Sequence, residues 1–274
     1  MKKIEYRITQ TLFFLYNLLT WMVMPLFLVA VFLHALFRKN QRQPYKQRLG
    51  LSVPDVPKEQ EKIRIWIHSV SVGEVSVAVQ IIRNLLEKND QVQILLSCTT
   101  PTGYEMAQKN LQVHDVFLFY YPIDFRPSIR KVMRAVRADA IGIVETEIWP
   151  NFAIEAYKQK IPLAILNGRL GHKEYRNYRI FRFFFRHVLT LYSVISMQGK
   201  HDADRIQKLG APAPIIQYNG NVKFDIKDPD LSSQKAIKGL FPSTGQPRII
   251  FASTHRREEE ILLAGQRRTD ADIG

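Results

Sequence analysis

A single cysteine, Cys98, stands among 274 residues, so an internal disulfide is excluded and a reducing compartment suits the chain. Glycine is scarce where phosphate loops need it. Gly73 is the only glycine of the loop that follows the first β-type run, which makes neither a Walker loop nor a GxGxxG fingerprint. Nucleotide binding through that loop, and a dinucleotide-dependent reaction, are therefore disfavoured. The seven histidines and the lone cysteine show no ligand spacing, so no metal site and no cofactor are expected. Internal repeats and low-complexity segments are lacking too. Acidic residues are outnumbered, 25 against 39 lysines and arginines, for a formal net charge of +14. That excess favours anionic partners. With no nucleic-acid-binding motif beside it, a nucleic-acid partner is not expected and phosphate-bearing lipid remains.

What is present begins with Lys2, Lys3 and Arg7, followed by an apolar run over residues 12–37 interrupted only by Asn17, Thr20, Pro25 and His34. About 20 mostly apolar residues suffice to cross a bilayer, and this run is long enough. It is too long for a signal peptide and no A-x-A site follows it. Arg38, Lys39, Arg42, Lys46 and Arg48 crowd its far side, which places the following body in the cytoplasm. A transmembrane helix is expected; Pro25 and the weak amino-terminal flank keep an interfacial or re-entrant anchor as the alternative.

From residue 63 β-type runs alternate with helical ones, the pattern of a parallel sheet covered on both faces. The β-type runs are 63–70, 92–99, 116–121, 140–144, 163–166, 194–197 and 215–218. The helical stretches are 75–87, 103–109, 127–136, 152–158, 175–192 and 200–209. This is a Rossmann-like, doubly wound α/β domain. A segment rich in Asp, Pro, Ser and Gly then reads as a linker. After it a strand over 248–252 and a helix capped by Ser253-Thr254-His255, with Glu258, Glu259 and Glu260 in its first turns, open a second domain. One strand and one helix do not bury their own apolar faces, so that domain is expected to be truncated. The expected organisation is an anchor with basic flank over 1–50, a Rossmann-like domain over 51–226, a linker over 227–247 and the start of a second domain over 248–274.

The strand-end loops carry the candidate chemistry. Ser71-Val72-Gly73-Glu74 joins the first strand to its helix. Glu74 either caps that helix or stands at the mouth of a ligand site, since ligands collect at the carboxyl edge of such sheets. Thr99-Thr100-Pro101-Thr102-Gly103 offers hydroxyls and a helix N-terminus to an anion or sugar, or is an ordinary N-cap with proline near N1. Glu145 and Glu147 follow the fourth strand; one of them, if buried, would be raised in pKa and could move a proton. Asn167-Gly168 and Asn219-Gly220 read as turns, and Lys223 points a cation into the cleft or stays in the turn. Arg176, Arg179, Arg182 and Arg186, interleaved with Phe181 and Phe183 to Phe185, form either a solvated stripe or a phosphate-holding one.

The ordered succession HSVSVGEV, TTPTG, YYPID, VETEIWPN, LNGRL, GNVKFD and ASTHRREEE, behind an anchor and a basic YKQRLGL segment, resembles the 3-deoxy-D-manno-octulosonic acid (Kdo) transferase family of Gram-negative bacteria. The resemblance runs from about residue 12 to about residue 264. It implies a two-domain GT-B glycosyltransferase, of which this chain holds the amino-terminal half. Such an enzyme transfers Kdo from CMP-Kdo to a lipid A precursor (lipid IVA) at the cytoplasmic face of the inner membrane, against anionic membrane lipid. By position it implies that Glu74 is the general base and that Glu145 and Lys223 stabilise the transition state. Ser71, Gly73, Thr102, Arg179 and Arg182 are expected to meet the acceptor. The family's CMP-binding residues belong to the carboxyl-terminal domain, so the alternative is a truncated, catalytically inactive, membrane-anchored remnant.

Overall fold

The computed structural model describes residues 3–37, 42–53, 55–57, 59, 61–112, 114–225, 254 and 258–261. The chain divides into two units, Met1–Asp225 and Ile226–Gly274. In the second, Thr254 donates its hydroxyl to Glu259 Oε1 at 2.7 Å. The expected linker and the strand over 248–252 lie outside the described residues.

In the first unit seven strands form one parallel sheet: β1 (Ile63–Ser69), β2 (Val92–Cys98), β3 (Val116–Tyr120), β4 (Ala140–Val144), β5 (Leu163–Gly168), β6 (Val194–Met197) and β7 (Ile216–Tyr218). Their order is β3-β2-β1-β4-β5-β6-β7, the doubly wound arrangement. Every residue of β2 is buried, which is why apolar side chains stand on both of its faces, Leu95 on one and Ile94 and Leu96 on the other. Helices α3 (Val72–Lys88) and α4 (Pro101–Asn110) cover one face over Ile67, Ile94 and Leu96. The other face, over Trp66, Leu95 and Phe119, is covered by α5 (Arg126–Val136), α6 (Pro150–Lys158), α7 (His172–Ile180), α8 (Arg182–Leu189) and α9 (Lys200–Leu209). Arg64 is fully buried yet satisfied, donating to Gln93 Oε1 and to the carbonyls of Val136 and Val56.

The single helix expected over 175–192 is two, broken at Phe181, whose φ of −103° and ψ of 25° leave the helical region. Continued at 3.6 residues per turn, the face that packs Tyr175 and Tyr178 inward would carry Arg182 in with it. The break keeps Arg182 exposed and still lets Phe184 and Phe185 pack on the core.

Helix α1 (Lys3–Phe37) docks antiparallel to α8 along a narrow seam. Thr9 Oγ1 lies 2.8 Å from His187 Nδ1, Phe13 packs edge-on against Phe184, and Tyr16 donates to Asp124 Oδ2 at 2.7 Å. Further along, Trp21 meets Phe125, and His34 meets Tyr45 of α2 (Arg42–Arg48). Gln47 of α2 in turn accepts the Tyr120 N–H, so this end of α1 returns to the body. Residues 7–34 are long and apolar enough to cross a membrane, and most of their surface is exposed.

Candidate active site

In a doubly wound sheet the connections leave in opposite directions at the reversal of strand order, and their loops part to form a crevice. Here the reversal falls between β1 and β4. Beyond β1, Ser71 takes the N-cap position of α3 and its hydroxyl oxygen accepts the Glu74 N–H at 3.4 Å. Glu74 answers with its carboxylate, accepting the Val70 N–H at 2.7 Å and the Ser71 hydroxyl at 2.9 Å. This is a capping-box pair, so the bland role of Glu74 is realised. The residue as a whole is only 8% exposed. Burial raises its pKa, the bonds from Val70 and Ser71 oppose that, and the charge of Glu145 adds to it.

Across the crevice β4 delivers Glu145 with φ at +61°, while its N–H reaches the Leu166 carbonyl at 2.9 Å. A non-glycine residue in the left-handed region costs about 1–2 kcal/mol, and such residues persist where the surroundings fix them. The Glu145 carboxylate lies 3.6 Å from Lys223 Nζ. Lys223 comes from a short 3-10 turn, Val222–Phe224, after β7. That turn is held at two points: Asn221 accepts the Lys223 N–H and Asn167, itself at φ +53°, accepts the Val222 N–H, both at 3.0 Å. Asn167 reads in sequence as a plain turn residue; its side chain is what positions the segment that carries Lys223.

The third carboxylate is Glu147, pushed up to about 7 by burial first and then by the charges of Glu74 and Glu145. From sequence the loop holds two acids with nothing to say which is buried, and Glu145 alone is given a role; the structure places the raised group at Glu147. Beneath the loops His68 is sealed in the core. It stacks on Tyr121 at 3.6 Å between centroids and bonds Ser97 Oγ through Nδ1 at 2.9 Å, and burial lowers its pKa to about 3. A neutral imidazole there supports the β1 loop.

Ser71 and Gly73 are exposed at the head of α3. Among the described residues a Cβ on Gly73 would meet only Ser71 Oγ, at 3.9 Å, which leaves room there. Thr100 caps α4 through the Gly103 N–H at 3.1 Å and donates to the Val70 carbonyl at 3.0 Å, tying the loops after β1 and β2 together. Thr102 stands exposed in the first turn of α4, its hydroxyl 3.5 Å from that of Thr100. The carboxyl edge thus gathers Ser71, Gly73, Glu74, Thr102, Glu145 and Lys223. Arg179 and Arg182 lie on the α7–α8 layer, on either side of the break. Arg182 donates Nε–H to the Lys208 carbonyl at 2.6 Å, where it satisfies the last turn of α9.

Residues 43–226 match the family model described as 3-deoxy-D-manno-octulosonic-acid transferase (kdotransferase). A 3-deoxy-D-manno-octulosonic acid transferase of Haemophilus influenzae is 30% identical over 93% of this chain and 59% of its own length. A bifunctional glycosyltransferase/methyltransferase of Fusobacterium nucleatum is 30% identical over 86% and 37%, and a probable mitochondrial 3-deoxy-D-manno-octulosonic acid transferase of Arabidopsis thaliana 30% over 73% and 45%. The chain spans about half the length of these relatives. Among solved structures, UDP-GlcNAc 2-epimerase of Neisseria meningitidis aligns at a TM-score of 0.47 with 14% identity, over 66% of this chain and 54% of that one. The chain belongs to the 3-deoxy-D-manno-octulosonic-acid transferase (kdotransferase) family.

Proposed function

We propose that the chain is the acceptor-binding half of a GT-B enzyme that transfers Kdo from CMP-Kdo to lipid IVA. The observation that carries this reading is the trio Glu74, Glu145 and Glu147 at the switch crevice, with Glu74 buried, oriented by two hydrogen bonds and raised in pKa. A sugar hydroxyl is a poor nucleophile near neutral pH, and a positioned carboxylate that takes its proton contributes about 10²–10⁴ in rate. The acceptor oxygen would bond the anomeric carbon of Kdo as the bond from that carbon to the CMP phosphate breaks, with the proton passing to Glu74. The Glu145 carboxylate offsets positive charge developing on the Kdo ring, and Lys223 offsets negative charge on the departing phosphate. Ser71, Gly73 and Thr102 flank the approach to Glu74 and would hold the acceptor sugar. Residues 227–247 would link this half to a donor-binding half that begins at 248.

The same reading places the body at the cytoplasmic face of the inner membrane, anchored by α1. Beside α1, Arg126, Arg130, Lys131 and Arg134 of α5 line a groove with Phe14, Leu18 and Trp21, a combination of cation and apolar surface suited to anionic lipid. The test is enzymatic. The chain alone, and the chain joined to the carboxyl-terminal half of the Haemophilus influenzae relative, are incubated with CMP-Kdo and lipid IVA. Kdo transfer by the joined protein is the expected result. Absence of product, when the same carboxyl-terminal half is active with its own partner half, would sink the proposal.

A further inference from the structure

Docked along its seam, α1 leaves a groove on each flank, and the two differ in chemistry. The flank against α5 carries four cations. The opposite one, of about 620 Å³, runs between Leu12, Leu15 and Leu19 of α1 and the broken corner of α7 and α8, and among the described residues no lysine or arginine lines it. Leu15, Leu19, Phe181 and Phe183 each keep more than half of their surface in water there, at 52%, 55%, 54% and 58%. Among the described residues that line it the one charged group is Glu147, and Trp149 stands two residues on. We propose that this groove seats an acyl chain of the lipid acceptor, led along α1 to the carboxylate trio. The assignment rests on the acceptor-binding reading above and adds to it where the lipid lies.

Three observations converge on that occupant. The volume falls within the range of about 300–1,000 Å³ that small-ligand sites occupy. The walls are apolar and exposed, so each methylene placed between them leaves water and covers leucine and phenylalanine surface already paying no other contact. The lack of a cation argues against a phosphate lying in this groove, whereas the opposite flank supplies four. Continuity with the site comes through Glu147, which lines the groove two residues after Glu145, at the end of β4. A chain entering from the α1 side would therefore end beside the groups proposed to act on the sugar it carries.

The test uses the whole chain in detergent. With Trp21→Phe in place, Trp149 is the tryptophan at the groove, while Trp66 is sealed in the core. A bis-phosphorylated diglucosamine lipid brominated on its acyl chains should quench Trp149 saturably. Leu15→Asp and Phe183→Asp, both at exposed positions, should weaken that binding about ten-fold or more. Leu51→Asp, at an exposed position that lines neither groove, should leave it unchanged. Phosphatidylcholine carrying the same bromines separates acceptor from bulk lipid: equal saturable quenching by it would overturn the assignment. Binding of the acylated lipid and its deacylated sugar with equal affinity, and no quenching, would overturn the groove and spare the acceptor reading. Failure of both to bind would overturn the two together.

Discussion

Glu74 has two roles whose magnitudes differ enough to be separated. As a cap in the first turn of α3 it contributes at most about 1 kcal/mol, whereas as a base it supplies about 10²–10⁴ in rate. Glu74→Gln keeps the shape but takes no proton. In the joined enzyme kcat should therefore fall about 100-fold or more with little change in Tm; near-normal turnover would return Glu74 to the cap alone. Glu147 makes a separate prediction through its pKa. An unfolded glutamate releases its proton near 4.5 and the folded Glu147 near about 7, so the folded state holds more protons between those values. Stability from this group is present below pH 4.5 and is lost as pH rises through about 7. Tm should fall over that window, and Glu147→Gln should flatten the part nearest 7; an unchanged slope would show that other groups set it. Glu74 is legible in sequence because Ser71-x-x-Glu74 spells a capping box after a strand. Glu147 is not, since the walls around it include Tyr16 and Tyr178, distant in the chain, which no local spacing records.

Among elements, α6 shows what local reading misses. Its N-cap residue, Trp149, makes no side-chain cap bond. Asp124, which follows β3, does that work from a distance: its carboxylate accepts the Asn151 N–H at 3.1 Å and the Phe152 N–H at 3.0 Å, and the Tyr16 hydroxyl as well. Burial pushes Asp124 up to about 6 against the pull of these three donors. Asp124→Ala would leave donors of two elements unmet, and should cost about 2–3 kcal/mol in stability. Tyr16→Phe should cost about 1 kcal/mol. At about 2–4 °C per kcal/mol for a domain of this size, thermal melts resolve both. A Tm for Asp124→Ala no lower than that for Tyr16→Phe would refute the shared-cap account. Strands fare better under local reading, because a parallel sheet covered on both faces leaves near-continuous apolar runs; all seven fall where the alternation places them, within a residue or two. The break at Phe181 was hidden because arginine and phenylalanine alternate through it without proline or glycine.

At the scale of the molecule the formal charge of +14 is unevenly used. Arg126 and Arg130 are partly engaged with Glu155, at 3.4 and 3.0 Å. Lys131 and Arg134 on the same helix are exposed beside the apolar flank of α1. Replacing both by glutamine should weaken binding to anionic vesicles by about 2 kcal/mol, at about 1 kcal/mol for each charge near a lipid surface. A high-salt wash should still leave the protein on membranes, because salt screens charge and does not release buried apolar surface; complete release by salt would refute the anchor. Composition makes the long apolar helix legible, but its seating on the body follows from contacts that no composition holds. Helix α1 is fastened at Thr9 and Phe13 near one end and at His34 near the other. Set against a bilayer, a rod lashed twice to a polar hull would lie as a keel, since driving it upright as a mast through the hydrocarbon would pull charged surface in after it. Both ends of the helix would then face one compartment, and a lipid acceptor in that leaflet would arrive by sideways diffusion, so that its mole fraction in the membrane, and not its bulk concentration, would set the rate of encounter.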